Sequence, residues 1–170
     1  MHDKKSIFKL EIISTIVIMI SGVLFHFVYE WSGNNNIVGL FTPVNESIWE
    51  HLKLLFFPMV ISLIIGYFYV GKDYENYLCA KTLGIIVSMI FIVVFFYTYF
   101  GVVGKNIDFI NISLFFVAVI LGQYMSYRNI FSVKFCNNKK VIIYLIIMTI
   151  LFMYFSFNPP DIGLFRVPKI

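Results

Sequence analysis

Five apolar runs, roughly residues 7–30, 53–71, 79–103, 109–127 and 141–157, take up most of this 170-residue chain. Each is close to the ~20 residues that carry a helix across about 30 Å of hydrocarbon. None alternates apolar and polar positions as a barrel strand does, and backbone groups in lipid must be hydrogen-bonded within their own segment, so the runs read as helices. The expected fold is all-α, a polytopic transmembrane bundle of five helices, with residues 1–170 forming a single integral membrane domain. Composition agrees: 60% of residues are hydrophobic, 13% are charged and the mean hydropathy is +0.87, whereas a soluble domain carries about a quarter charged residues. A water-soluble chain of this length could not hide so much apolar surface.

The net charge of +4 and pI near 9.0 come from basic residues scattered between apolar runs. They form no basic stripe interleaved with stacking aromatics, so nucleic acid is excluded as a partner and the bilayer is the expected one. Lys4, Lys5, Lys9, Lys72, Lys81, Arg128, Lys134, Lys139 and Lys140 fall on one side of the expected helices, against Lys53, Lys105, Arg166 and Lys169 on the other. By the positive-inside rule the N-terminus is cytoplasmic and, after five crossings, the C-terminal tail is outside, in a multi-pass cell-membrane protein. The charged start resembles that of a signal peptide, but the run behind it is span-length with no small-x-small cleavage site, which reads as a retained first helix. Cys79 and Cys136 lack CxxC spacing or a Cys/His cluster and are expected to be free thiols on the inner side.

Between the first two helices, Ser32-Gly33-Asn34-Asn35-Asn36 is a turn signal. The apolar stretch Ile37 to Phe41 then lies along the membrane surface or packs back on the bundle. Thr42 as N-cap with Pro43 at the first helical position predicts that the second helix begins there and runs to Tyr69, ~40 Å at 1.5 Å per residue, with Pro58 bending its interior. Trp31 and Trp49 are placed in the outer aromatic belt.

Chemistry is concentrated in the first turns of this second helix. Glu46, Glu50 and Lys53 would share one helical stripe, with Ser47 and His51 on the neighbouring one. His26 and Glu30, one turn apart at the end of the first helix, could meet them across the helix interface. Two imidazoles and three carboxylates in one place suit a divalent cation, zinc being the best match for mixed nitrogen and oxygen ligands. In that reading His26, His51 and Glu30 hold the metal and Glu46 and Glu50 are the catalytic carboxylates. Asn45, Ser47, Trp49 and Lys53 contact substrate, as does Asp161 if the Pro159-Pro160 tail folds over the site with Leu164 and Phe165 against the bundle. The alternative is a solvated, internally paired helix start with satisfied histidines. Glu11, beside Lys9, is expected to snorkel to the inner interface, and Gln123 and Ser126 to bond another helix.

The segment from Thr42 to Lys53, with His26 and Trp31-Ser32-Gly33 before it and Pro159-Pro160 and Leu164-Phe165 after it, resembles a family of small bacterial multi-pass membrane proteins of unknown function. That resemblance implies a membrane protein and supplies no reaction. Asn45-Glu46-Ser47-Ile48-Trp49-Glu50-His51-Leu52 is also similar to the early Asn-Glu-x-x-x-Ile-Trp-x-His-Leu string of the progestin and adiponectin receptor type, whose superfamily includes zinc-dependent amidases. The spacer is shorter here, and both the late paired histidines and two of the seven helices are missing. Three functions stay open: a metal-dependent hydrolase of a lipid or amphiphile, a small-solute transporter or transporter subunit, and an assembly partner of another membrane protein.

Overall fold

The computed structural model describes residues 4–132 and 137–168. Among these residues there are six helices and no strand: α1 Lys4–Trp31, α2 Asn36–Gly39, α3 Ile48–Tyr69, α4 Tyr77–Val103, α5 Asp108–Ile130 and α6 Asn138–Phe157. All but the four-residue α2 are long and apolar enough to cross a membrane, so the five expected spans are present. Their outward faces are greasy: Ile13, Ile16 and Ile20 on α1 and Ile143, Ile146 and Ile150 on α6 are each more than half exposed. Rows of isoleucine at one-turn spacing facing outward suit lipid.

The turn after α1 uses Gly33 and Asn34, both at positive φ, the left-handed region open to glycine and asparagine. Asn35 then caps α2 by accepting from the Ile37 amide at 2.8 Å. The next helix does not start where the Thr42-Pro43 signal predicts. The Thr42 hydroxyl instead donates back to the Val38 carbonyl at 3.0 Å, closing the end of α2. Asn45 Oδ1 accepts from the Ser47 amide at 2.9 Å, an Asx turn. Ser47 is the N-cap, its hydroxyl accepting from the Glu50 amide at 3.3 Å. Two cap signals five residues apart compete, and the Ser47-x-x-Glu50 pattern wins. Residues 43–47 are therefore an ordered loop, and Glu46 lies outside the helix. Helix α3 runs unbroken through Pro58.

Helices α4 and α5 make the most extensive contact in the bundle. A Cβ on Gly84 would lie 2.4 Å from the Gly122 carbonyl oxygen, and one on Gly122 would lie 2.6 Å from that of Gly84. These glycines let the two backbones touch, as small residues do between membrane helices. The main core, Leu55, Phe56, Phe57, Met59, Ile85, Val119 and Phe152 among others, joins α3, α4, α5 and α6. Trp49, expected in the lipid belt, is only 8% exposed and lies against Phe152, Phe155 and Phe165. The tail thus packs on the bundle as its apolar residues required, through the 3-10 turn Gly163–Phe165.

Three further expectations change. Lys81 is no loop residue but a buried member of α4, and Glu11 does not reach the interface: its carboxylate meets Lys81 Nζ at 2.7 Å. Opposite charges on facing helices satisfy one another inside, which single-helix reasoning about snorkelling does not foresee. Cys79 is disulfide-bonded rather than free. Spacing alone cannot reveal a bond made by the fold; Cys136 lies outside the described residues.

Candidate functional site

The polar segment leading into α3 divides into two clusters. Glu50 and Lys53 point into the protein, 1% and 0% exposed. Lys53 Nζ donates to the Glu50 carboxylate at 2.8 Å, to the Gly39 carbonyl at 2.8 Å, to the Thr42 carbonyl at 3.1 Å and to the Ser156 hydroxyl. Glu50 also accepts from the Val44 amide at 2.9 Å and from Ser156 at 3.1 Å. An ammonium has three protons to donate and here it finds more acceptors than that. This cluster ties α2, the 43–47 loop, α3 and α6 together, and its burial leaves it closed to a substrate.

The second cluster is His26, Glu46 and His51, from α1, the loop and the first turn of α3. One ligand-capable atom from each lies within 4.8 Å of the others. His51 Nδ1 stands 3.0 Å from the Ser47 carbonyl oxygen, which can only accept, so Nδ1 carries the proton. The opposite ring nitrogen, Nε2, faces Glu46 Oε2 at 3.3 Å. With a neutral imidazole this would set lone pair against carboxylate; a proton or a cation has to lie between them. The His26 ring is 5.4 Å from that of His51, and its buried Nδ1 has no hydrogen-bond partner. The hydrogen bond with His51 holds the Glu46 carboxyl below the usual carboxylate range, and the charges of His51 and His26 add to this against the opposing effect of partial burial.

These three residues sit at the polar end of a cavity of about 490 Å³. Leu54, Ile92, Phe96 and Phe115 form its apolar floor, and Asn106, Asp108 and Asn111 the facing polar wall. Val23 and Phe27 of α1 and Ile112 of α5 line it too and are each over two-fifths exposed, so the cavity is open along the seam between these two helices. Pro168 of the tail closes part of its rim. Gly22 lies beneath, where a Cβ would meet the Phe115 ring at 2.4 Å.

The sequence-derived set is therefore brought together only in part. His26, His51 and Glu46 converge. Glu30, one turn beyond His26 on α1, is exposed and outside the cluster. Glu50, Lys53 and Ser47 are consumed by the capping and ion-pair network, Asn45 by its own turn, and Trp49 by the core. Asp161 does not reach the site; it pairs with Arg166 at 2.7 Å on the exposed tail. Sequence reasoning missed the facing wall, where the Tyr99 hydroxyl and the Asn106 and Asn111 amides are mutually hydrogen-bonded beside Asp108. The available signal was a cluster of Asn and Asp at the start of a span, where an ordinary turn predicts the same residues.

The family comparison covers essentially the whole chain: residues 1–168 match a family of unknown function, DUF6512. The chain belongs to that family. No curated protein and no solved structure matches it.

Proposed function

We propose that this member of a family without assigned activity is an integral membrane protein that hydrolyses an amphiphile at a divalent metal site formed by His26, Glu46 and His51. One observation carries the reading. His51 is fixed by an Nδ1–H to backbone carbonyl bond, the arrangement that orients metal-binding imidazoles, and its opposite nitrogen, Nε2, faces the Glu46 carboxylate with a second imidazole beside it whose buried Nδ1 has no partner. Two His and one Glu leave a fourth tetrahedral position open, as in catalytic zinc sites, and zinc suits the donors. Such an ion would polarise a carbonyl and a water. Asp108, on the facing wall, takes the general-base role that Glu50 cannot fill, and the Asn106 and Asn111 amides orient the polar head while its chain lies on Phe96 and Phe115.

Basic residues set the orientation. With Lys53 and Lys81 set aside as buried pairs, Lys and Arg remain concentrated at the N-terminal end, which we assign to the cytoplasm, with the site at the outer face. Disulfide-bonded Cys79, at the N-terminal end, argues for the reverse, because disulfides persist in oxidising compartments. Impermeant thiol labelling of intact cells decides: Lys105→Cys is labelled and Lys5→Cys is not, and the opposite pattern overturns the assignment.

For the reaction, metal-loaded protein is reconstituted into vesicles doped with ester- and amide-linked amphiphiles, and products are read by mass spectrometry. Turnover in wild type, reduced ~10²–10⁴-fold by Asp108→Asn and abolished by His51→Ala, is expected. Metal-loaded protein that cleaves none of them overturns the hydrolase reading.

A further inference from the structure

A second groove lies at the opposite end of the bundle, between α1 and α5. Phe8, Ile12, Ile16, Ile120, Tyr124 and Tyr127 form its walls, with Glu11, Thr15 and Gln123 also lining it, around about 260 Å³. Along α1 these residues follow one helical stripe at three- and four-residue steps, and the stripe continues outward to Lys4 and Lys5. On α5 the corresponding stripe ends at Arg128. Lys4 Nζ sits 5.2 Å from the centre of the Phe131 ring and the Arg128 guanidinium 5.9 Å from that of Tyr124, so cations stand on both sides of the groove mouth. Among the described residues, the first turn of α1 holds no acidic side chain.

Beneath this mostly apolar groove lie buried polar side chains, one of them incompletely satisfied. Gln123 is 4% exposed; its Oε1 accepts from Lys81 Nζ at 3.4 Å, and Lys81 is neutralised by Glu11. The amide Nε2 of Gln123 is buried without a partner. A donor left unpaired in an apolar surround costs about 1–3 kcal/mol, and lipid hydrocarbon offers no acceptor. An occupant of the groove must therefore bring an acceptor oxygen to Gln123, a hydrocarbon portion to the isoleucine walls and an anionic group to the mouth. Gln123 stands five residues inside Arg128, about 7.5 Å along the axis. That is the order in which an anionic glycerophospholipid presents its parts: phosphate at the surface, ester carbonyls beneath, acyl chains deepest.

We propose that this groove is a binding site for one anionic glycerophospholipid of the leaflet at the N-terminal end. Lys4, Lys5 and Arg128 hold the phosphate, Gln123 donates to an ester carbonyl, and a chain lies along Ile12, Ile16 and Ile120. Basic recesses between membrane helices bind anionic head groups for the same reason. The site is independent of the chemistry proposed at the other end.

Full-length protein in bilayers mixing phosphatidylglycerol with phosphatidylcholine is extracted and its retained lipid counted by native mass spectrometry. Wild type is expected to retain one phosphatidylglycerol in preference to phosphatidylcholine. Arg128→Gln, an exposed position, lowers that preference about fivefold, the ratio corresponding to ~1 kcal/mol per surface cation, and adding Lys5→Gln lowers it again. Gln123→Leu weakens retention of both lipids without changing the preference. Equal retention of the two lipids by wild type, an unaltered preference in Arg128→Gln, or displacement of the lipid by inorganic phosphate overturns the proposal.

Discussion

Two polar clusters stand within one turn of each other at the start of α3, and they differ in whether their hydrogen bonds are complete. Around Lys53 every donor is used: the Gly39 and Thr42 carbonyls, the Glu50 carboxylate and Ser156 of α6 accept from it, all inside the protein. Around His51 one ring nitrogen is fixed to backbone while the other faces an open cavity with Glu46 and the unpartnered His26. A completed network holds structure and has nothing left to offer a ligand; an incomplete one beside a cavity does. The Glu50–Lys53 network also supports the neighbouring site, since it anchors the loop that carries Glu46 through the Val44 amide.

Lys53→Met leaves Glu50 a buried carboxylate without its cation, an expected loss of about 3–5 kcal/mol, read as a lowered melting temperature or loss of detergent-extractable protein. Unchanged stability would mean that the two clusters do not differ in role. Substituting Glu50→Gln with Lys53→Met recovers part of the loss, because both charges are removed together.

Less was legible here than in the fold. The five spans follow from run length alone, and the structure keeps them with boundaries moved by a few residues. The polar segment was also visible, but its division was not. Whether Glu46 stays beside Glu50 or reaches His51 depends on whether the helix begins at Pro43 or Ile48, and that turns on which cap the chain uses. A start at Pro43 puts Glu46 on the helical stripe of Glu50; a start at Ile48 frees it to swing to His51. Ser156, which completes the buried network, is more than a hundred residues away and gives no local sign. Pairings such as Glu11 with Lys81 are hidden for the same reason: each charge read alone suggests an interface.

An intermediate effect is expected at the tail. Phe165→Ala uncovers Trp49 and should cost about 1–2 kcal/mol, less than the ~3–5 of a fully buried phenylalanine, while Asp161→Asn, which breaks only an exposed pair, changes the melting temperature little. Equal losses from the two would contradict the packing role assigned to Leu164 and Phe165. His51→Ala, at the incomplete cluster, should cost under about 1 kcal/mol in metal-free protein, well short of Lys53→Met.

The smallest effect is the response to acid. Because the Glu46 carboxyl is held below its ordinary value of 4.5, its link to His51 contributes stability above that value and loses it as pH falls through the lower folded-state value. Metal-free wild type should therefore lose slightly more stability than Glu46→Gln on acidification below pH 4.5, and parallel melting curves for the two would remove this contribution.

If the open cluster binds a metal and the closed one does not, elemental mass spectrometry of detergent-purified protein prepared without chelator separates them. Near-stoichiometric zinc or another divalent transition metal is expected in wild type, lost in His26→Ala, His51→Ala and Glu46→Ala and retained in folded Glu50→Gln/Lys53→Met. Metal absent from wild type, or retained when the histidines are removed, would contradict the account.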